Sequence, residues 1–209
     1  MKKMSLTGIR YTKGFLLDLK RRLEFVKDAH ELLEMKRDQL IIELREALKR
    51  FKEFRRRVED EAEEVYRELS LLHSTLGSAD LETYSAYLKG RMEVKIVPRE
   101  VMGVATPMLR EVDIPDYINL YPPQVISLAE KVSTLMRDLT RLAELETYIE
   151  NLAEDLRKTN IRVNALEKVV IPNYEETIRR IQDILSDDML EEVIRLKLIK
   201  GILTRRRTA

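Results

Sequence analysis

The side chains able to do chemistry are few and poorly grouped for catalysis. Histidine occurs twice, at His30 and His73. His30-Glu31-Leu32-Leu33-Glu34 has the outline of a zinc-binding helix, but such a site needs a second His one turn on, and position 34 is Glu. His30 falls on the spacing of its apolar neighbours and reads as a core or interface histidine. His73 lies beside the same spacing near the end of a helix. There is no Cys, which excludes disulfides, thiolate-ligated zinc and thiol nucleophiles. The six Gly are scattered singly, so no loop cradles a phosphate. Carboxylates are abundant but sit between apolar positions, where they form solvated helix faces with i,i+4 ion pairs. Met102 and Met108 read as packing. No catalytic residue, cofactor or metal site is expected.

Two sets of cations stand out. Arg37 occupies an apolar position of the first long repeat, where a charge costs stability and fixes register. The chain ends are basic: Lys2, Lys3, Arg10 and Lys13 at one, Arg205, Arg206 and Arg207 at the other. Alone they are solubilising tails; brought together they make a basic tip for a partner. The net charge is only +1, so the whole molecule is no polyelectrolyte binder of nucleic acid.

The elements that position these residues are long helices. From Thr12, a suitable N-cap, apolar residues step by three and four: Leu16, Leu19, Leu23, Val26, Leu33, Leu40, Leu44, Ala47, Phe51, Phe54, Val58. His30 and Arg37 fill two places of this heptad seam. It continues through Ala62, Val65, Leu69, Leu72 and Leu76, with two steps of four around Val58 that form a stutter. No Pro or Gly interrupts it between Gly14 and Gly77, so the helix is roughly 95 Å long at about 1.5 Å per residue. A second seam follows Pro122-Pro123: Leu128, Val132, Leu135, Leu139, Leu142, Ile149, Leu152, Leu156, Val163, Leu166, Val170, then Ile178, Ile181 and Leu185. Pro172 inside it is expected to kink the helix, Asp187-Asp188 to loosen it, and Gly201 to cap it.

Between the seams the period changes. A short helix is expected over 80–89, ended by Gly90. Met92, Val94 and Ile96 alternate with Glu93 and Lys95 as in a strand. Pro98-Arg99-Glu100 suits a turn, and the return strand is either Val101 to Ala105 or Val112 and Ile114, with Pro107 and Pro115 as interruptions. The expected fold is all-α, a long antiparallel two-helix coiled-coil hairpin with a small β-hairpin at the connection. Its parts are residues 1–76, a connection over 77–121, a second helix over 122–200 and a basic tail over 201–209. Helices this long must bury their apolar stripe on each other, and an antiparallel pair brings both basic ends to one tip. Aromatics are only 6% and Trp is absent, against a thick globular core. No leader or membrane-spanning apolar run is expected.

Several runs resemble a known family. Arg162-Val163-Asn164-Ala165-Leu166-Glu167, then Val170-Ile171-Pro172, Glu176-Thr177-Ile178 and Arg195-Leu196-Lys197 resemble the C-terminal signature of the D subunit of the V-type/archaeal-type rotary ATPases. Leu19-Lys20-Arg21-Arg22-Leu23, His30-Glu31-Leu32-Leu33 and Lys36-Arg37-Asp38-Gln39-Leu40 resemble its N-terminal part. Two departures exist: Tyr11-Thr12 stands where the family has Pro-Thr, and Asn160-Ile161 where it often has consecutive Arg. The resemblance implies a non-catalytic rotor shaft of an A-type ATP synthase. Its termini would sit in the bore of a head of alternating A and B subunits. The small F subunit would bind alongside, and a funnel-shaped subunit would link it to the membrane ring. It further implies a cytoplasmic place, peripheral to the membrane, and a role in coupling ATP synthesis or hydrolysis to ion transport. On that basis Arg37, Arg162, Val163, Asn164, Ala165, Leu166, Glu167 and Pro172 are shaft residues, and the basic ends face the head.

Two rivals share the coiled coil. A prefoldin-like chaperone needs an apolar tip for clients, where this tip is basic. A nucleic-acid binder would interleave aromatics with its cations, and none are interleaved here.

Overall fold

The computed structural model describes residues 11–87, 92–101, 103–114 and 123–207, with backbone alone at 87 and 204–207. Helix α1 spans Lys13–Leu76, α2 Ser78–Tyr87, strand β1 Glu93–Val101, β2 Val104–Asp113, α3 Pro123–Ala165 and α4 Ile171–Arg207. A π turn, Leu166–Val170, joins α3 to α4. The expected fold class holds: two long helical stretches with a two-stranded antiparallel ribbon between them.

Both ends of α1 have local causes. The Phe15 N–H donates to Thr12 Oγ1 at 3.3 Å, so Thr12 is the N-cap. Gly77 has φ 81°, and its N–H donates to the His73 carbonyl at 3.1 Å, a left-handed C-terminal cap open to glycine at little cost.

The chain forms two compact units, residues 1–37 with 159–209, and residues 38–158. In the first, Leu19 buries against Ile178 and Ile181, with Phe15, Leu16, Leu23, Tyr174 and Leu185 around them. Leu16 and Leu19 meet the later residues and Lys27 meets Glu175 at 2.7 Å, so the helices are antiparallel. In the second unit, Val58, Val65, Leu128 and Leu135 form one cluster. Leu40, Ala47, Leu152 and Val104 form another. Lys131 pairs with Glu64 at 2.8 Å and with Glu68, again antiparallel. The expected stutter residues Phe54, Val58, Ala62 and Val65 share one cluster.

The structure corrects several expectations. Pro98-Arg99-Glu100 is not the turn; Pro98 lies inside β1, and the chain reverses between Val101 and Val104, with Gly103 at φ 78°. Pro107 does not interrupt the return strand; β2 takes in Val104 and Ala105 of the first proposed segment and Val112 of the second, while Val101 ends β1 and Ile114 lies beyond β2. The two prolines face each other, which fits a rung whose N–H groups point away from the partner strand, where a missing donor costs nothing. The short helix begins at Ser78 rather than Asp80. Gly201 does not cap the last helix and Asp187-Asp188 does not break it; α4 is continuous to Arg207. Leu69 and Leu139 are exposed, and Glu68 and Asp138 are turned inward in their places. Lys89, Gly90, Met102, Pro115 and Pro122 lie outside the described residues.

Near Pro172 the structure places a π turn. The Ile171 N–H bonds the Leu166 carbonyl, five residues back rather than four. The inward residues explain it. Thr159, Val163, Leu166 and Val170 follow a heptad that would continue at 173, 177, 180 and 184. The residues turned inward are instead Tyr174, Ile178, Ile181 and Leu185, each one later. The wide turn absorbs that single extra residue.

Candidate interaction surface

The heptad residues of the motif divide between the two sides of the helix. Val163 is buried and Leu166 half-buried, while Arg162, Asn164, Ala165, Glu167 and Pro172 are exposed. Arg37 is half-buried on the seam, with its guanidinium 3.5 Å from Glu34. His30 sits one turn before Glu34, its Nδ1 3.8 Å from that carboxylate, and is largely covered, as a seam histidine should be. Lys13 is exposed as the first residue of α1. Lys2, Lys3 and Arg10 lie outside the described residues. Arg205, Arg206 and Arg207 are described only as helical backbone, so apart from Lys13 the side chains of the expected basic tip lie outside the described residues.

Charges elsewhere are arranged for solubility and register. Most ion pairs join residues three or four apart on one helix, such as Arg67 to Glu63 at 2.9 Å and Arg55 to Glu59 at 2.8 Å. Arg157 holds Glu154 through both oxygens at 2.8 Å, and this bonding brings the Glu154 carboxyl down to about 2. A few pairs cross between elements. Lys131 bridges two acids of α1, and its hydrogen bonds to Glu64 and Glu68 raise its pKa. Tyr148 of α3 donates its hydroxyl to Glu43 of α1 at 2.8 Å; burial, then that bond, push the phenol up to about 12.

The β-ribbon docks on the helices of its unit by its turn end. Val104 enters the Leu40–Leu152 cluster, Asn151 Nδ2 donates to the Ala105 carbonyl at 2.9 Å, and the Thr106 hydroxyl closes onto the Arg99 carbonyl at 3.0 Å. A groove there is lined by Glu43, Arg50, Arg99, Thr106 and Tyr148. Among the described residues no cluster of His, Asp or Glu could hold a metal, and no helix is long and apolar enough to cross a membrane.

The surface that sequence reasoning missed is the end of α4. After Leu185 every described side chain is exposed. Met189, Leu190, Val193, Ile194, Leu198 and Ile202 are large and apolar among them, and they point in several directions around the helix. Asp187, Asp188, Glu191, Glu192, Arg195, Lys197 and Lys200 are interspersed with them, yet so many exposed apolar side chains on one helix mark an interaction surface, and isolated helices are marginal in water. The described part of this chain does not cover it. The periodic signal was present in the sequence, but only the structure shows the pairing with α1 ending near Leu185.

Comparison with known proteins gives these features a setting. The family profile for the ATP synthase D subunit matches residues 15–201. The D subunit of the A-type ATP synthase of Thermococcus sibiricus is 32% identical, over 93% of this chain and 94% of its own. That of Methanopyrus kandleri is 31% identical, over 97% and 90%. The D subunit of the V-type ATP synthase of Thermotoga neapolitana is 33% identical, over 93% and 98%.

Proposed function

The chain belongs to the ATP synthase D-subunit family, and we propose that it is the non-catalytic central shaft of a V/A-type rotary ATP synthase. The shaft transmits torque between a catalytic head of A and B subunits and a membrane ring. A small F subunit binds alongside it, a funnel-shaped subunit meets it above the ring, and the complex holds it at the membrane surface. This coupling serves ATP synthesis or hydrolysis and ion transport.

One observation carries the reading: the α4 segment beyond Leu185, exposed and apolar in several directions. Such a helix fits enclosure by a ring of protein better than docking on a flat face, because a flat partner would cover one stripe only. Antiparallel helix pairs locked by alternating clusters and ion pairs also give a member stiff enough to carry torque. A single shaft in a threefold head meets three equivalent sites unequally, and such differential contacts are what bias each site towards its own conformation.

The test is a pull-down of the tagged full chain from its own host, with stoichiometry by mass spectrometry. The catalytic A and B subunits and the small F subunit are expected in defined ratio. A chain ended after Leu185 should lose the head and keep the F subunit. Recovery of unfolded clients or nucleic acid instead would overturn the reading.

A further inference from the structure

The short connection between Val101 and Val104 fixes which backbone groups of the ribbon are free. A turn of that length closes on a hydrogen-bonded pair, and hydrogen-bonded and open pairs alternate along an antiparallel ladder. Val101, Arg99 and Val97 of β1 therefore turn their backbone groups to β2, and Glu100, Pro98 and Ile96 turn theirs to the outer edge. The bulge leaves this alternation intact on β1, because the extra residue, Arg110, belongs to β2.

The two outer edges differ. That of β2 faces α3: Asn151 donates to the Ala105 carbonyl at 2.9 Å, and Pro107 lines a groove with Glu144, Leu145 and Tyr148. On β1 every residue from Glu93 to Glu100 is exposed. An open edge is a template for another strand, and the residues leading into Pro98 are suited to the purpose. Met92, Val94, Ile96 and Val97 are apolar and exposed. Glu93 and Lys95 cancel in charge, and no Pro or Gly lies among them, which is the composition of a self-pairing segment.

The strand always present at equal concentration is β1 of a second copy. Paired antiparallel with Ile96 against itself, that copy would set Pro98 opposite Val94; with Val94 against Glu100, it would set Pro98 opposite Ile96. In the first register Glu93 meets Arg99, so charge favours the pairing. What opposes it is Pro98, which has no N–H to give at an outward rung. We propose that Pro98 is the device that keeps the open edge of β1 from pairing with β1 of a second copy of this chain.

The test is sedimentation velocity of the full chain over a range of concentrations, for wild type, Pro98→Thr and Pro98→Ala. Both substitutions restore the outward N–H. Thr adds strand preference, and Ala tests the N–H with little side chain. The ribbon's own hydrogen bonds are untouched, so helix content by circular dichroism and protease resistance within residues 92–114 should persist. Pro98→Thr should strengthen self-association at least tenfold over wild type, with a gain in the infrared band of intermolecular strands, and Pro98→Ala should do so to a smaller extent. Pro107→Thr, which restores an N–H on the edge facing α3, should leave association at the wild-type level. Unchanged association in both Pro98 variants, an equal gain in Pro107→Thr, or release of the ribbon to protease in both Pro98 variants would each overturn the proposal.

Discussion

The Tyr148 hydroxyl lies 2.8 Å from Glu43 Oε1, joining α3 to α1 beside the groove where the ribbon docks. Burial and this bond favour the neutral phenol and push its pKa up to about 12. A pKa raised by folding gives stability that is complete below the unfolded value near 10 and is lost as pH rises towards 12. Tyr148→Phe should therefore cost about 1.5–3 kcal/mol at neutral pH, the scale of a hydrogen bond to a charged group. The gap between variant and wild type should close between pH 10 and 12. Denaturant unfolding at a series of pH values measures it. A gap that stays constant to pH 12 would mean that folding does not raise the pKa of Tyr148, by burial or by the bond.

The π turn before Pro172 is set by register, because the buried residues before it, Thr159 and Val163, and those after it, Ile178 and Ile181, are out of heptad phase by one residue. Proline strained in a regular helix costs about 3 kcal/mol. Here the wide turn already moves the preceding carbonyls, so Pro172→Ala should change stability by less than about 1 kcal/mol. A gain near 3 kcal/mol on thermal or denaturant unfolding would show that the proline is strained and that the turn exists to relieve it. If the chain is the shaft proposed above, the same variant in the assembled complex tests whether this turn shapes it, since ATP-to-ion coupling should then change.

These features differ in how legible they are in the sequence. The Thr12 cap, the Gly77 break and most of both seams follow from residue types and spacing alone. The one-residue skip is also visible, as three successive steps of four from Leu166 to Ile178, but Pro172 within it suggests a kink instead. Leu69 and Leu139 mislead because apolar periodicity is blind to partnered acids: Lys131 meets Glu68 and Arg141 sits 3.4 Å from Asp138, so those acids turn inward. Pro98 and Pro107 look like breakers because their pairing across one rung involves residues that are not neighbours in sequence. The end of α4, which no described residue covers, is hidden for a related reason. Its apolar residues resemble any other helix face until the partner helix is seen to stop.

The ribbon is held mainly at its turn. Val104→Asp places a carboxylate among Leu40, Ala47 and Leu152, where an unpaired charge is expensive. The cheapest relief is undocking of the ribbon rather than melting of the helices. Limited proteolysis within residues 92–114 should accelerate at least tenfold, with far-ultraviolet circular dichroism nearly unchanged. Loss of helix signal in step with cleavage would show that the ribbon is integral to the helix packing.

Thr159 is wholly buried, 0% exposed, and its hydroxyl has no hydrogen-bond partner. Other threonines of these helices behave differently: Thr134, Thr147 and Thr177 donate to the carbonyl four residues earlier. An unsatisfied buried hydroxyl costs about 1–3 kcal/mol. Thr159→Val keeps the branched shape and its rotamer restriction while removing the unpaired group. Stability should rise by about 1 kcal/mol, equivalent to roughly 2–4 °C in Tm for a chain of this size. Thermal unfolding of the full chain checks it. A lower Tm would mean that the hydroxyl is bonded after all, with water in the helix interface as the remaining donor and acceptor.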